Sequence, residues 1–161
     1  MRSEQEVNRA IERYSDTVQR LCLVYLKNHA DTEDVFQNVF FKYYLSSVVF
    51  KSDEHEKAWI IRVTVNACKD WLKNFFRSRT VPLNEVAELA SNVSQENKDV
   101  LEAVLSLPAK YRDVVYLHYY ENYTAPQISQ ILHKNVNTIY TLLTRSKELL
   151  REKMGGEEHG R

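Results

Sequence analysis

T-A-P-Q-I-S-Q-I-L-H-K-N-V-N-T-I-Y-T-L-L-T-R-S-K-E-L-L-R-E-K, Thr124 to Lys153, decides the fold. Thr124 followed three residues later by Gln127 is a capping box, in which the two side chains and two backbone N–H groups at a helix start satisfy one another. Pro126 falls in the first turn, where a missing N–H does no harm. Ile128, Ile131 and Leu132 then recur at helical spacing, and Ser129 is small enough for a second helix to approach closely. His133-Lys134-Asn135 ends that helix, and Asn135 is placed to cap the next by accepting an N–H two or three residues on. In the second helix Val136, Ile139, Leu143, Leu149 and Leu150 share the buried face, while Tyr140, Thr141, Thr144, Arg145 and Glu148 point away. This is the layout of a helix-turn-helix, whose second helix enters the DNA major groove. A plain helical hairpin in an all-α domain has the same local pattern.

Working outward, the chain of 161 residues has room for one domain or two small ones. A hydrophobic content of 43% supports globular folding, and only three glycines and three prolines favour long helices over a β-rich fold. The expected class is all-α. Formal net charge is zero, which excludes a global basic field, yet the charge is segregated. Residues 54–79 carry six Lys/Arg against three Asp/Glu, residues 134–153 five against two, and residues 84–102 one against five. Cys22 and Cys68 form no C-x-x-C pair, so neither a zinc site nor a disulfide framework is signalled, and buried thiols in a reducing cytoplasm are expected. No apolar run approaches a bilayer-spanning length, and M-R-S-E-Q-E lacks a signal-peptide core, so no membrane insertion is expected. No phosphate loop, metal cluster or nucleophile–base pair is legible; the expectation is a protein that is not an enzyme and needs no cofactor.

Upstream, Val7, Ile11, Tyr14, Val18, Leu21, Tyr25 and Leu26 step by three and four, which predicts an amphipathic helix from about Ser3 to Asn28. Asp31 is the expected N-cap of a second helix, with acids in its first turn facing the positive end of the backbone dipoles. There Val35, Val39 and Tyr43 form one row and Phe36, Phe40 and Tyr44 the next, as in a helix central to a three-helix core. Ser46 to Asp53 loses the periodicity and reads as a loop with an apolar tip, Val48-Val49-Phe50. A third helix is expected from near Glu54 to about Ser78, with Trp59, Val63, Ala67, Trp71 and Phe75 along it. Its late turns mix bases and rings (Lys69, Trp71, Lys73, Phe75, Phe76, Arg77, Arg79), a mixture suited to single-stranded nucleic acid, though a solvated basic face backed by core aromatics explains the same letters.

Three segments in order carry a family resemblance. D-T-E-D-V-F-Q-N-V-F-F-K-Y-Y (Asp31–Tyr44) resembles the polymerase-binding helix of bacterial RNA polymerase sigma factors of the extracytoplasmic-function type. A-W-I-I-R-V-T-V-N-A-C-K-D-W-L-K (Ala58–Lys73) resembles their −10 promoter helix, and Leu107–Leu132 the opening of their C-terminal DNA-binding domain. The resemblance implies that Asp34, Gln37, Asn38 and Phe41 dock on the clamp of the largest subunit of core polymerase. It implies that the loop with Val49, Phe50 and Lys51 receives a flipped −10 base, with Arg62, Asn66, Lys69 and Lys73 along the melted strand. Leu107 to Tyr123 would hold the polymerase flap. Asn135, Asn137, Thr138, Tyr140, Thr141, Thr144 and Arg145 would face the −35 element. An anti-sigma factor is a further implied partner.

The implied organisation is 1–79, a core-polymerase and −10 domain; 80–97, an acidic linker, for which a short surface helix is the alternative; 98–154, the −35 domain; and 155–161, a disordered tail. The chain departs from the family where His133 replaces a usual turn glycine, where Tyr140 and Leu142 replace basic residues, where Thr144 replaces His or Arg, and where Asn38 and Val65 replace Glu and Arg. Fewer cations in the last helix mean fewer phosphate contacts and a flatter salt dependence. Two other functions fit the same sequence: a sigma-like module that binds polymerase or a regulator without reading DNA, and a stand-alone helix-turn-helix repressor, which leaves the first three helices without a role.

Overall fold

Capping decides where the first helix starts. In the computed structural model, which describes residues 1–26, 29–75 and 101–158 apart from the side chains of 75 and 153–158, Ser3 and Glu6 form a capping box. The Glu6 N–H donates to Ser3 Oγ at 3.1 Å and the Ser3 N–H to Glu6 Oε1 at 3.5 Å. Helix α1 then runs Glu4–Leu26, α2 His29–Leu45 and α3 Asp53–Phe75. Every regular element among the described residues is helical.

Helix α2 starts two residues before the expected cap. Asp31 lies inside its first turn and is buried together with Thr32, while His29 and Glu33 pair across the added turn at 3.3 Å. A carboxylate expected at the solvent-facing start is thus carried into the packed face. Helix α3 is capped by Ser52, whose Oγ accepts the His55 N–H at 3.1 Å.

The chain divides into two compact units, Met1–Asn92 and Val93–Arg161. In the first, each of the three helices packs on both others. Tyr14, Val18 and Cys22 of α1, Val35, Val39 and Tyr43 of α2, and Ile60, Ala67 and Cys68 of α3 form the core. Burying each large side chain contributes about 1.5–3 kcal/mol. Cys22 and Cys68 are both buried and free, with Sγ atoms 3.9 Å apart. The hydrogen bond to Cys22, together with burial, pushes the Cys68 thiol well above its usual range.

One polar knot crosses the rim of this core. Glu56 accepts from the Tyr14 hydroxyl at 2.9 Å and from the Tyr43 hydroxyl at 2.7 Å. Burial first, and the Glu56 carboxylate second, push both phenols up to about 12.

In the second unit residues 101–105 are helical, followed by α4 (Ala109–Val115), a wider turn of helix over Tyr116–Tyr120, α5 (Ala125–Leu132) and α6 (Val136–Glu158). The wide turn closes through the Glu121 N–H on the Tyr116 carbonyl at 3.2 Å, a five-residue step that marks a π-type insertion. Helices α4 and α5 both pack on α6, around Leu101, Tyr111, Val115, Ile128, Leu132 and Ile139. Helix α6 passes through Gly155 and Gly156 to Glu158, so the tail expected from 155 is helical as far as that residue. Extending a helix already begun costs far less than starting one. The expected linker 80–97, Phe76, Arg77, Arg79 and residues 159–161 lie outside the described residues.

Candidate nucleic-acid interface

The turn between α5 and α6 is built from side chains as much as backbone. The Thr124 hydroxyl accepts the Gln127 N–H at 3.3 Å while Gln127 Oε1 accepts the Thr124 N–H at 2.9 Å. At the other end His133 takes φ 54° and ψ 47°, the left-handed region that favours glycine. All three glycines of the chain lie at 155, 156 and 160, so a β-carbon sits where the turn least favours one. Ser129, expected only to be small, also donates its hydroxyl to the Lys134 carbonyl, while the Lys134 N–H donates to the Ser129 carbonyl at 3.1 Å. Asn135 then caps α6, its Oδ1 accepting the Asn137 N–H at 2.8 Å.

These restraints aim one side of α6 outward. Ile139 is fully buried against the unit, and Ser146 one helical repeat on is buried too, its hydroxyl turned back to the Leu143 carbonyl at 2.8 Å. Opposite them Asn137, Thr138, Tyr140, Thr141, Thr144 and Arg145 are exposed, as is Asn135 at the helix start. Tyr140 is 52% exposed and Leu142 half-buried. Such a row has the donors, acceptors and apolar groups that base edges and thymine methyls require.

In the first unit two separate rows face outward. On α2, Asp34, Gln37, Asn38 and Phe41 are all exposed, at spacings of three and four that put them on one side. Phe41 is 58% exposed, Leu45 beside it 49%, and the Phe41 and Tyr44 rings lie 6.3 Å apart. The Val35, Val39, Tyr43 row of the same helix is buried, so α2 serves core and surface at once. On α3, Arg62, Asn66, Lys69 and Lys73 share one side; Asn66 and Lys73 are exposed and Arg62 and Lys69 half-buried. Val65, where the resemblance expects arginine, is in the core.

The loop before α3 is divided, contrary to its reading as a uniform apolar tip. Val49 is 85% exposed and Val48 is exposed, but Phe50 turns inward. Its ring stacks on Tyr43 at 6.2 Å and meets Trp59 at 5.6 Å and His55 at 5.3 Å edge to face. Burying an aromatic ring outweighs what a third exposed residue at the tip would offer. Lys51 stays exposed, its backbone N–H donating to His55 Nδ1 at 3.1 Å. The sequence reading missed two residues here. Glu56 gave no signal beyond a first-turn acid, and Arg2 none at all, although Arg2 reaches both the loop and α2.

Comparison with known proteins matches both units. The family model described as Sigma-70 region 2 covers residues 10–78, and that described as Sigma-70, region 4 covers residues 97–150. The RNA polymerase sigma factor SigV of Bacillus subtilis is 28% identical over 142 residues, spanning 86% of this chain and 85% of its own. The ECF RNA polymerase sigma factor SigW of the same organism is 24% identical over 161 residues, with 89% and 86% covered. Among solved structures, the sigma factor RpoE of Bartonella quintana, crystallised with the anti-sigma factor NepR, matches in fold. Its TM-score is 0.71 at 16% identity over 94% of this chain and 98% of that one. With regions 2 and 4 matched in order over most of its length, the chain belongs to the sigma-70 family of RNA polymerase sigma factors, in its extracytoplasmic-function group.

Proposed function

We propose that the chain directs core RNA polymerase to promoters by holding the −10 element with its first unit and the −35 element with its second. The outward row of α6 carries this reading: seven residues from Asn135 to Arg145 stand exposed on a helix whose other side is packed. A helix presented in that way fits the major groove. The Asp34, Gln37, Asn38, Phe41 row docks on the clamp of the largest subunit, and 107–123 on the flap. Arg62, Lys69 and Lys73 follow the melted strand by neutralising phosphates and Asn66 by hydrogen bonding, while Val49 and Lys51 border the captured base and Phe50 supports them from behind. The chain acts by binding and not by catalysis, in the cytoplasm where polymerase works. No described helix is long and apolar enough to cross a membrane. A regulator of the anti-sigma type covers the apolar surface at Phe41 and Leu45 when the chain is held inactive.

The test is transcription in vitro with purified chain and core polymerase on genomic fragments. Initiation at discrete start sites sharing two upstream elements is expected. Polymerase binding with no start site on any fragment overturns the reading.

A further inference from the structure

Arg2 precedes the residues matched by the region 2 model and stands next to the Ser3 cap, yet its side chain reaches across the unit. Its backbone N–H donates to the Tyr44 carbonyl at 2.9 Å and its Nε to the Tyr43 carbonyl at 3.1 Å. Its Nη2 donates to the Val48 carbonyl in the middle of the loop, and its Nη1 faces Glu6 Oε2 at 3.4 Å. The guanidinium lies 4.5 Å from the centre of the Tyr43 ring and 4.9 Å from that of Phe50. The last carbonyls of a helix lack intrahelical donors and sit at the negative end of its dipole, so a cation is favoured there. A planar guanidinium donates from its edge while its face lies on a ring; an ammonium offers no such combination. One side chain therefore ties the end of α2 to the 46–50 segment.

Beside this tie is a cleft of about 530 Å³, lined by Arg2, Glu6, Arg9, Ser47, Val49 and Asp53 among others. That volume lies in the range of ligand-binding pockets. Its lining combines cations for phosphate, hydroxyls and carboxylates for the polar edge of a base, and an exposed aliphatic wall at Val49. Capture of an unstacked base by a floppy loop loses affinity to the ordering of that loop; a loop already tied avoids the loss.

We propose that Arg2 is a positioning residue for base capture: by fastening the Val48 carbonyl to the end of α2 it holds the cleft open for one unpaired nucleobase of single-stranded DNA. The proposal rests on the promoter-binding function above. It adds a residue outside the matched region and a reason for the loop's shape.

The experiment uses the full chain, wild type, Arg2→Ala and Arg2→Lys, bound to core polymerase. Two measurements are made: amide exchange over residues 46–52, and affinity for single-strand probes carrying the −10 element of a promoter the wild type uses. The probes are intact or abasic at each position in turn. Arg2→Ala is expected to speed exchange in 46–52 and to weaken the intact probe about tenfold. That loss disappears on the probe whose missing base costs the wild type most. Arg2→Lys, which keeps the charge without the fork, behaves like Arg2→Ala, and carries the test if the alanine variant fails to fold. Unchanged exchange overturns the tie. Faster exchange with equal loss on every probe, or with none, overturns the role in base capture while wild-type initiation leaves the promoter function standing. A wild type that initiates nowhere overturns that function and this proposal together.

Discussion

In the first unit the candidate nucleic-acid residues come from a loop and a helix pinned by side chains far away in sequence, whereas in the second they come from one side of a single helix aimed by a local turn. Arg2 reaches across forty residues or more to Tyr43 and Val48, and Glu56 across 42 residues to Tyr14 and 13 to Tyr43. Asn135, Ser129 and Thr124 act within five residues of themselves. A surface for single-stranded bases needs walls on several sides, and those have to come from separate elements. A surface for duplex DNA needs a straight edge, which a helix already is. The contrast therefore follows from the shape of what each unit is proposed to bind.

The harshest way to break the second half of this contrast is Ile139→Ala. Ile139 is fully buried beneath the exposed row, and the substitution is expected to destabilise its unit by about 3 kcal/mol. Urea unfolding followed by amide exchange in α5 and α6 measures it. If the loss is below about 1 kcal/mol, the packed side of α6 is not what aims the row.

Next in size is the knot in the first unit. Glu56→Ala removes the acceptor of the Tyr43 hydroxyl and leaves that of Tyr14 only the longer contact to the Asp53 carbonyl at 3.4 Å, and is expected to cost about 2 kcal/mol, read from the denaturation midpoint. The same knot predicts a pH dependence. Tyr14 and Tyr43 ionise near 10 when unfolded and are pushed up to about 12 here, so the folded state favours their neutral forms. Their contribution is whole below pH 10 and is lost as pH rises through 12. Because burial is the larger cause, Glu56→Ala narrows that alkaline window without closing it. Identical alkaline transitions in wild type and variant would remove Glu56 from the account.

Two substitutions sharpen the turn. Asn135→Ala removes the cap of α6 and is expected to lower stability by about 1 kcal/mol. His133→Gly relieves the left-handed strain, offset in part by glycine's greater chain entropy, and should raise stability by about 0.5 kcal/mol. Thermal melting of both variants checks the opposite signs. Smallest is Tyr140→Lys, which adds one cation to the exposed row and is expected to steepen the slope of log affinity against log salt by about 0.9 for duplex promoter DNA. An unchanged slope would mean that Tyr140 faces no phosphate.

Much of this was legible in the letters because helices announce themselves locally. The Val35, Val39, Tyr43 row is buried where the spacing put it, and Thr124 and Gln127 cap as their separation requires. The Asn137 to Arg145 row faces outward for the same reason, since a residue's side of a helix depends only on its count from its neighbours. Asp31 shows where counting fails. An acid that starts a helix by local preference was drawn inside one because α2 began two residues earlier. Phe50 shows it again: three apolar letters in a row do not say which of them turns inward.

The sequence alone was enough to determine an all-α fold, the order of the two sigma-70 regions, the packed sides of α1, α2 and α5, and the exposed side of α6. Those properties rest on bonds and contacts that span three or four residues. On α3 the buried side is Ile60, Ile61, Val65 and Cys68, while Trp59, Val63 and Trp71 are half-buried. Only the tertiary structure decided that Phe50 joins the core, that Cys22 and Cys68 meet, that Glu56 joins two tyrosines, and that Arg2 fastens the loop. Each of these joins residues from separate helices or loops, and their distance is set by how helices pack against one another, which no spacing along the chain encodes.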